Sequence, residues 1–166
     1  MEIIDFKQID VSKIFLKRIN KSFTKPLYYG NNITIMTPIM SCAFGIEKEY
    51  NNYLMKMRFN SSVENHCEFF DFIKKLETFF QESLRRNKFK SQIRINKKYS
   101  PLLILKLPFK DGKFLIDIED NKLTTIFDIV KDMKFMCVLE LNNIWHNDNS
   151  ISYKWCVKKI IFDNCV

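Results

Sequence analysis

Between Ser61 and Leu84 the apolar positions return every three to four residues, at Phe69, Phe72, Ile73, Leu76, Phe79, Phe80 and Leu84. That period places them on one stripe of an α-helix. Ser61 and Glu64 have the S-x-x-E spacing of a capping box, so the helix is expected to start at Ser61. Just upstream, in "NYLMKMRF" (52–59), the period changes to two. Tyr53, Met55, Met57 and Phe59 face one way and Leu54, Lys56 and Arg58 the other, the signature of a half-buried strand.

Strand signals fill most of the remainder. "NNITIMTPIM" (31–40) is rich in β-branched residues and predicts a strand with Pro38 at a bulge or end. "LLILKLPF" (102–109) and "KFLIDI" (113–118) flank "KDG", a turn signal with Gly112. "TTIFDIV" (124–130) suits a helical turn opening at Thr124 or Thr125. "FMCVLELNNIW" (135–145) and "ISYKWCVKKIIF" (151–162) are strand-like and predict a hairpin across the polar "HNDNS". Residues 1–26 mix Ile14, Phe15 and Ile19 with Lys13, Lys17, Arg18 and Lys21, and suggest a short helix or an arm. Strands, one long helix, then strands again point to a mainly β protein with one long helix. The expected form is a small antiparallel β-barrel in one domain spanning residues 1–166.

Composition narrows the class. Hydrophobic residues make up 46% of the 166-residue chain and sixteen are Phe, enough for a real core and too many for wholesale disorder. The apolar runs are too short to span a bilayer, and "MEIIDFKQID" has no signal-peptide core, so an intracellular protein with no membrane partner is expected. Five scattered Cys with no C-x-x-C pair read as small buried hydrophobes or free thiols rather than a disulfide frame.

Charge changes the picture most. The net charge is +8, yet residues 85–110 alone hold nine bases and no acid, so the rest of the chain is nearly neutral. Such a concentration points to a polyanionic partner. In "RRNKFKSQIRINKKYSP" (85–101) the bases are interleaved with Phe89 and Tyr99, in what reads as a mobile loop or hairpin beside the helix. Single-strand binding needs this combination, a positive track for phosphates and flat rings for unstacked bases. The candidate phosphate contacts are Lys56, Arg58, Arg85, Arg86, Lys88, Lys90, Arg94, Lys97, Lys98, Lys106, Lys154 and Lys158. The candidate stacking rings are Phe89, Tyr99, Trp145 and Tyr153, whereas Trp155 suits the core.

Catalytic alternatives find little footing. Two His without paired spacing argue against a zinc site, and three Gly cannot build a phosphate loop. Asp117, Glu119 and Glu140 form the one acid set that a two-metal nuclease would use, and a solvent-facing strand edge explains them more simply. No catalytic residue, metal or other cofactor is therefore expected.

Two stretches resemble a known family. "TPIMSCAFGI" (37–46) is similar to a Thr-Pro-x-Met motif followed by Phe-Gly-Ile, and "VLELNNIWHNDNSISYKWCVKKIIF" (138–162) to a closing hairpin of aromatic-x-Trp-x-Val-x-x-Ile form. Together they resemble the single-stranded DNA-binding proteins of nucleocytoplasmic large DNA viruses, themselves similar to the OB-fold binding proteins of short-tailed phages. The resemblance implies an OB-fold-like barrel that coats single-stranded DNA with low sequence specificity during viral replication, recombination or repair. It implies a location in the host cytoplasm or a viral replication factory. Pro38, Phe44 and Gly45 would shape the first barrel strands, and Trp145 and Trp155 would sit in the closing hairpin. Expected partners are single-stranded DNA and replication proteins, with a homodimer or higher oligomer open. Two features depart from the family: Ser152-Tyr153 stand where related proteins often have Gly, and "FDNCV" replaces an acidic tail. The competing reading is a structural or protein-interaction module using the basic loop against an acidic partner.

Overall fold

The computed structural model describes residues 2–85, 88–119, 123 and 125–162. Short 3-10 turns at Phe6–Gln8 and Val11–Lys13, capped by Asp5 and Asp10, lead into strands β1 (Ile14–Arg18) and β2 (Phe23–Tyr28). Then follow β3 (Asn31–Asn32), β4 (Thr34–Met36), β5 (Met40–Glu49), β6 (Asn52–Arg58) and helix α1 (Glu64–Leu84). The basic stretch forms β7 (Lys88–Lys90) and β8 (Ile93–Arg94), and β9 (Leu102–Leu107) comes next. Three short strands, β10 (Phe109–Lys110), β11 (Lys113–Phe114) and β12 (Asp117–Glu119), precede a 3-10 turn at Ile126–Asp128. The chain closes with β13 (Lys134–Leu141), β14 (Ile144–Asn147), β15 (Ser150–Ser152) and β16 (Trp155–Phe162).

Five of these strands close on themselves. β5 pairs with β6, β6 with β9, β9 with β16, β16 with β13 and β13 with β5; the β9–β16 pair is parallel and the others antiparallel. Numbered within the ring the order is 1-2-3-5-4-1, an OB-type barrel. Alternation puts Met55, Met57, Leu103, Leu105 and Leu139 inside, all at 1% exposure or less. A bulge lets the first strand curve: Cys42 opposes Met57 and Ile46 opposes Met55, so three residues face one. Gly45 supplies the positive φ of +82° this needs, where a Cβ would sit 3.2 Å from the Ile129 carbonyl oxygen.

The second sheet runs β1-β2-β14-β15-β7, with β3 beside β2. Residues 2–26 are therefore neither helix nor free arm beyond the two short turns. β2 finds backbone partners in β14, which turns the segment into a hairpin built onto the closing strands.

Helix α1 buries Phe69, Phe72, Ile73, Leu76 and Phe80, and half-buries Phe79 and Leu84. Each such ring or branched chain contributes about 2 kcal/mol by burial. The expected capping box does not form. The Asn60 side chain accepts from the Ser62 N–H, and this turn delays the helix to Glu64 behind Val63. His66 anchors the entry instead: its Nδ1 accepts from the Asn60 N–H at 2.8 Å, and its Nε2 donates to the Ile39 carbonyl at 2.7 Å.

The two long C-terminal strands are each broken, at Asn142-Asn143 and at Tyr153-Lys154. Their near halves, β13 and β16, belong to the barrel and their far halves, β14 and β15, to the second sheet. The polar loop shrinks to the turn Asp148-Asn149. Between β9 and β12 the expected hairpin is short. Pro108 ends β9, and only Phe109–Lys110 and Lys113–Phe114 pair, around Asp111 and Gly112 with φ of 53° and 78°. β12 instead runs parallel to β16. The helical turn near 125 does form, with Thr125 and Asp128 as its capping box.

Candidate nucleic-acid interface

The basic stretch is only in part the expected loop or hairpin: residues 95–101 form a largely exposed loop that closes a hairpin of β8 and β9, while β7 is taken into the second sheet. β7 pairs parallel with β15, and β8 pairs antiparallel with β9, so residues 88–94 join the two sheets. A carboxylate holds this junction. Glu77, buried on α1, accepts from the Ser91 hydroxyl at 2.6 Å, the Gln92 N–H at 2.9 Å and the Tyr153 hydroxyl at 2.6 Å. One side chain thus ties the helix to the β7–β8 junction and to the break between β15 and β16.

The junction leaves a groove of about 550 Å³ between barrel and second sheet. Lys90, Arg94, Lys106 and Lys154 line it, with Trp145 and Tyr50 at its edges and Glu49 as its acid. A second depression on the other side of Trp145 adds Lys88 and Phe23, and shares Lys90. Among the described residues none of Lys88, Lys90, Arg94, Lys106 or Lys154 has an ion-pair partner within 4.0 Å. Burial, then the charges of Lys90 and Lys106, hold the Lys154 ammonium below the ordinary lysine value, with Glu49 acting the other way. The cost of gathering these charges is thus recorded in one of them.

Trp145 is 60% exposed, and Phe23 meets it edge-on at 5.3 Å. Tyr50, at the tip between β5 and β6, is 91% exposed. These rings stand on the loops between the first and second and between the fourth and fifth barrel strands, the loops from which OB folds engage oligonucleotides.

The structure brings together Lys88, Lys90, Arg94, Lys106, Trp145 and Lys154 from the sequence-derived set. It separates the others. Lys56 is buried, paired with Glu47 at 2.9 Å beneath the Phe44 ring, because the bulge folds β5 over it. Arg58 is committed to the fold at the surface: it pairs with the exposed Asp132 at 2.5 Å and donates to the Ala43 carbonyl at 3.1 Å, pinning the bulge. Tyr153 is enclosed at 1% exposure and offers no face to a base, since its strand turns it inward onto Glu77. Burial and the neighbouring carboxylate raise its hydroxyl well above the ordinary tyrosine value. Phe89 is half-buried and stacks on Tyr153 at 5.9 Å. Arg85 ends α1 in the left-handed region, and Arg86 lies outside the described residues. Lys97, Lys98 and Tyr99 are exposed on the excursion before β9 and do not line the groove. Lys158 pairs with Glu140 at 3.6 Å beside a separate depression. Trp155 is fully buried, as its alternation suggests.

The acid set is dispersed. Glu140 lies opposite Cys156 and Glu119 opposite Ile161 on β16, about 16 Å apart along the strand. Glu119 pairs with Lys159 at 2.8 Å. Among the described residues no three His, Cys, Asp or Glu gather to hold a metal, and no helix is long and apolar enough to cross a membrane.

Sequence reasoning missed Phe23 and Tyr50. The alternation in "FTKPLY" (23–28) was the available signal for the first; nothing local marks the second.

No protein-family model matches the chain, and no curated protein matches its sequence. Solved structures do resemble it. One is gp2.5, a single-stranded DNA binding protein encoded by bacteriophage T7, with TM-score 0.56 and 10% identity over 79% of this chain and 86% of that one. Another is the C-terminally truncated single-stranded DNA-binding protein from bacteriophage Enc34, with TM-score 0.51 and 9% identity over 92% of this chain and 94% of that one. At such identities the likeness is one of fold, and the fold is the OB-type barrel that the strand order describes.

Proposed function

We propose that this chain binds single-stranded DNA with low sequence specificity and no catalysis. One observation carries the reading: bases without ion-pair partners line a groove that an exposed tryptophan edges. Phosphates would lie along Lys88, Lys90, Arg94, Lys106 and Lys154, and an unstacked base would lie on Trp145. Stacking tolerates any base, and duplex DNA keeps its base faces covered, so this arrangement favours single strands without reading sequence. The fold shared with two phage single-stranded DNA-binding proteins supports the reading. The two sequence motifs support a narrower one: a protein of the large-DNA-virus type, acting in replication, recombination or repair inside the host cell beside replication proteins.

The test is fluorescence anisotropy of labelled oligo-dT against a duplex of equal length, without Mg²⁺. Tight single-strand binding, much weaker duplex binding and a loss of about tenfold in Trp145→Ala are expected. Equal affinity for both would reduce the groove to a general polyanion patch. No binding at low salt would sink the proposal.

A further inference from the structure

The groove uses only one side of Trp145. Register shows what stands on the other. Phe15 lies opposite Leu27 and Lys17 opposite Lys25; Phe23 lies opposite Trp145, Trp145 opposite Ser152 and Ser152 beside Lys90. Directly paired residues share a face. Burial agrees: Thr24, Pro26 and Tyr28 are covered, while Phe23, Lys25 and Leu27 are not, and Phe15 is 64% exposed. The outer face of the second sheet therefore carries Lys17, Lys25, Lys88 and Lys90 among Phe15, Phe23 and Trp145. No acid stands on this face; Asp148 lies in the turn closing β14 and β15. Among the described residues none of the four lysines has an ion-pair partner within 4.0 Å.

We infer that this face is a second seat for the same strand, which leaves the groove over Trp145 and crosses Phe23 and Phe15 between Lys25 and Lys17. The inference rests on the groove reading and extends it by a surface outside the barrel. Two features choose the occupant. Unneutralised lysines interleaved with rings suit a ligand that is both anionic and flat-ringed, and the face is continuous with the groove through Trp145 and Lys90. The reach is adequate. Phe15 and Trp145 are two strand spacings and four residues apart, about 16 Å. That distance holds about five nucleotides at the stacked rise of ~3.4 Å, and fewer if the strand is stretched.

The experiment compares oligo-dT of about 6 and about 16 nucleotides, within the range of single OB folds. It is run near 0.15 M salt, where charges beyond ~8 Å are screened. Wild type, Phe15→Ala and the Lys17→Glu/Lys25→Glu pair are measured. All three should bind the short oligomer equally, and each variant should bind the long one about tenfold more weakly. Equal affinity at both lengths overturns the inference and leaves the face to a protein partner. An equal loss at both lengths overturns it too, because the variants would then have damaged the groove. Failure of wild type to bind the short oligomer would instead remove the groove reading beneath it.

Discussion

Lys154 sits half-buried where barrel and second sheet meet, with Lys90 and Lys106 as its electrostatic neighbours. Its charged form is disfavoured in the folded chain, so between its lowered folded pKa and the ordinary lysine value the unfolded chain binds more protons. Stability therefore rises with pH through that window. Lys154→Met should melt no lower than wild type, with a gain of up to about 1 kcal/mol, while binding oligo-dT about tenfold more weakly. Thermal melts and anisotropy on the same samples check both halves. A large loss of stability would mean that the lysine serves the fold. Residue identity alone did not reveal such roles. Lys56 and Lys106 both stand on barrel strands, but a bulge folds Glu47 and Phe44 over the first and leaves the second open. Trp145 and Tyr153 are both aromatics of the closing strands, and strand parity with a break at 153–154 sends one outward and the other onto Glu77.

Elements were more legible than residues where their periodicity was local. The stripe of α1 and the existence of the strand β6 can be read directly, because helix and strand repeats need no partner to be recognised, but β6 is not half-buried as expected: Leu54 and Lys56 are covered as well as Met55 and Met57. The ends were less legible. Asn60 and His66 replace the Ser61–Glu64 box, and His66 does so while bonded to the Ile39 carbonyl, far off in sequence. Glu77 illustrates the same limit: on the helical wheel it is a polar residue, and in the fold it is the acceptor that joins α1 to β7, β8 and β15. Glu77→Ala would leave two buried donors and the half-buried Ser91 hydroxyl without it and should cost about 3 kcal/mol, while Glu77→Gln, nearly the same shape, should cost about 1 kcal/mol. Urea unfolding measures both. If Glu77→Ala is as stable as wild type, the carboxylate does not hold the junction.

For the whole molecule, the groove reading fixes a salt dependence. Five bases that neutralise phosphates of single-stranded DNA release its counterions and give a slope of log K against log salt of about −3.5. Arg94→Gln with Lys106→Gln should lower that magnitude by about 1.4, whereas Lys158→Gln should leave it unchanged because Lys158 lies by Glu140, away from the groove. Titrations across salt decide, and a slope indifferent to Arg94 and Lys106 would place the phosphates elsewhere. By itself the sequence determined the mainly β class, the single long helix, the basic stretch and the motifs resembling OB-type binding proteins. All of these follow from local periodicity, composition or short strings of residues. Tertiary structure alone decided that the barrel closes through a parallel β9–β16 pair and that the N-terminal hairpin extends the second sheet. It also decided which lysines are spent on Glu47 or Glu140 and which stand unpaired around Trp145. The reason is physical: strand pairing and charge neutralisation join residues distant along the chain, and a local pattern carries no record of its partner.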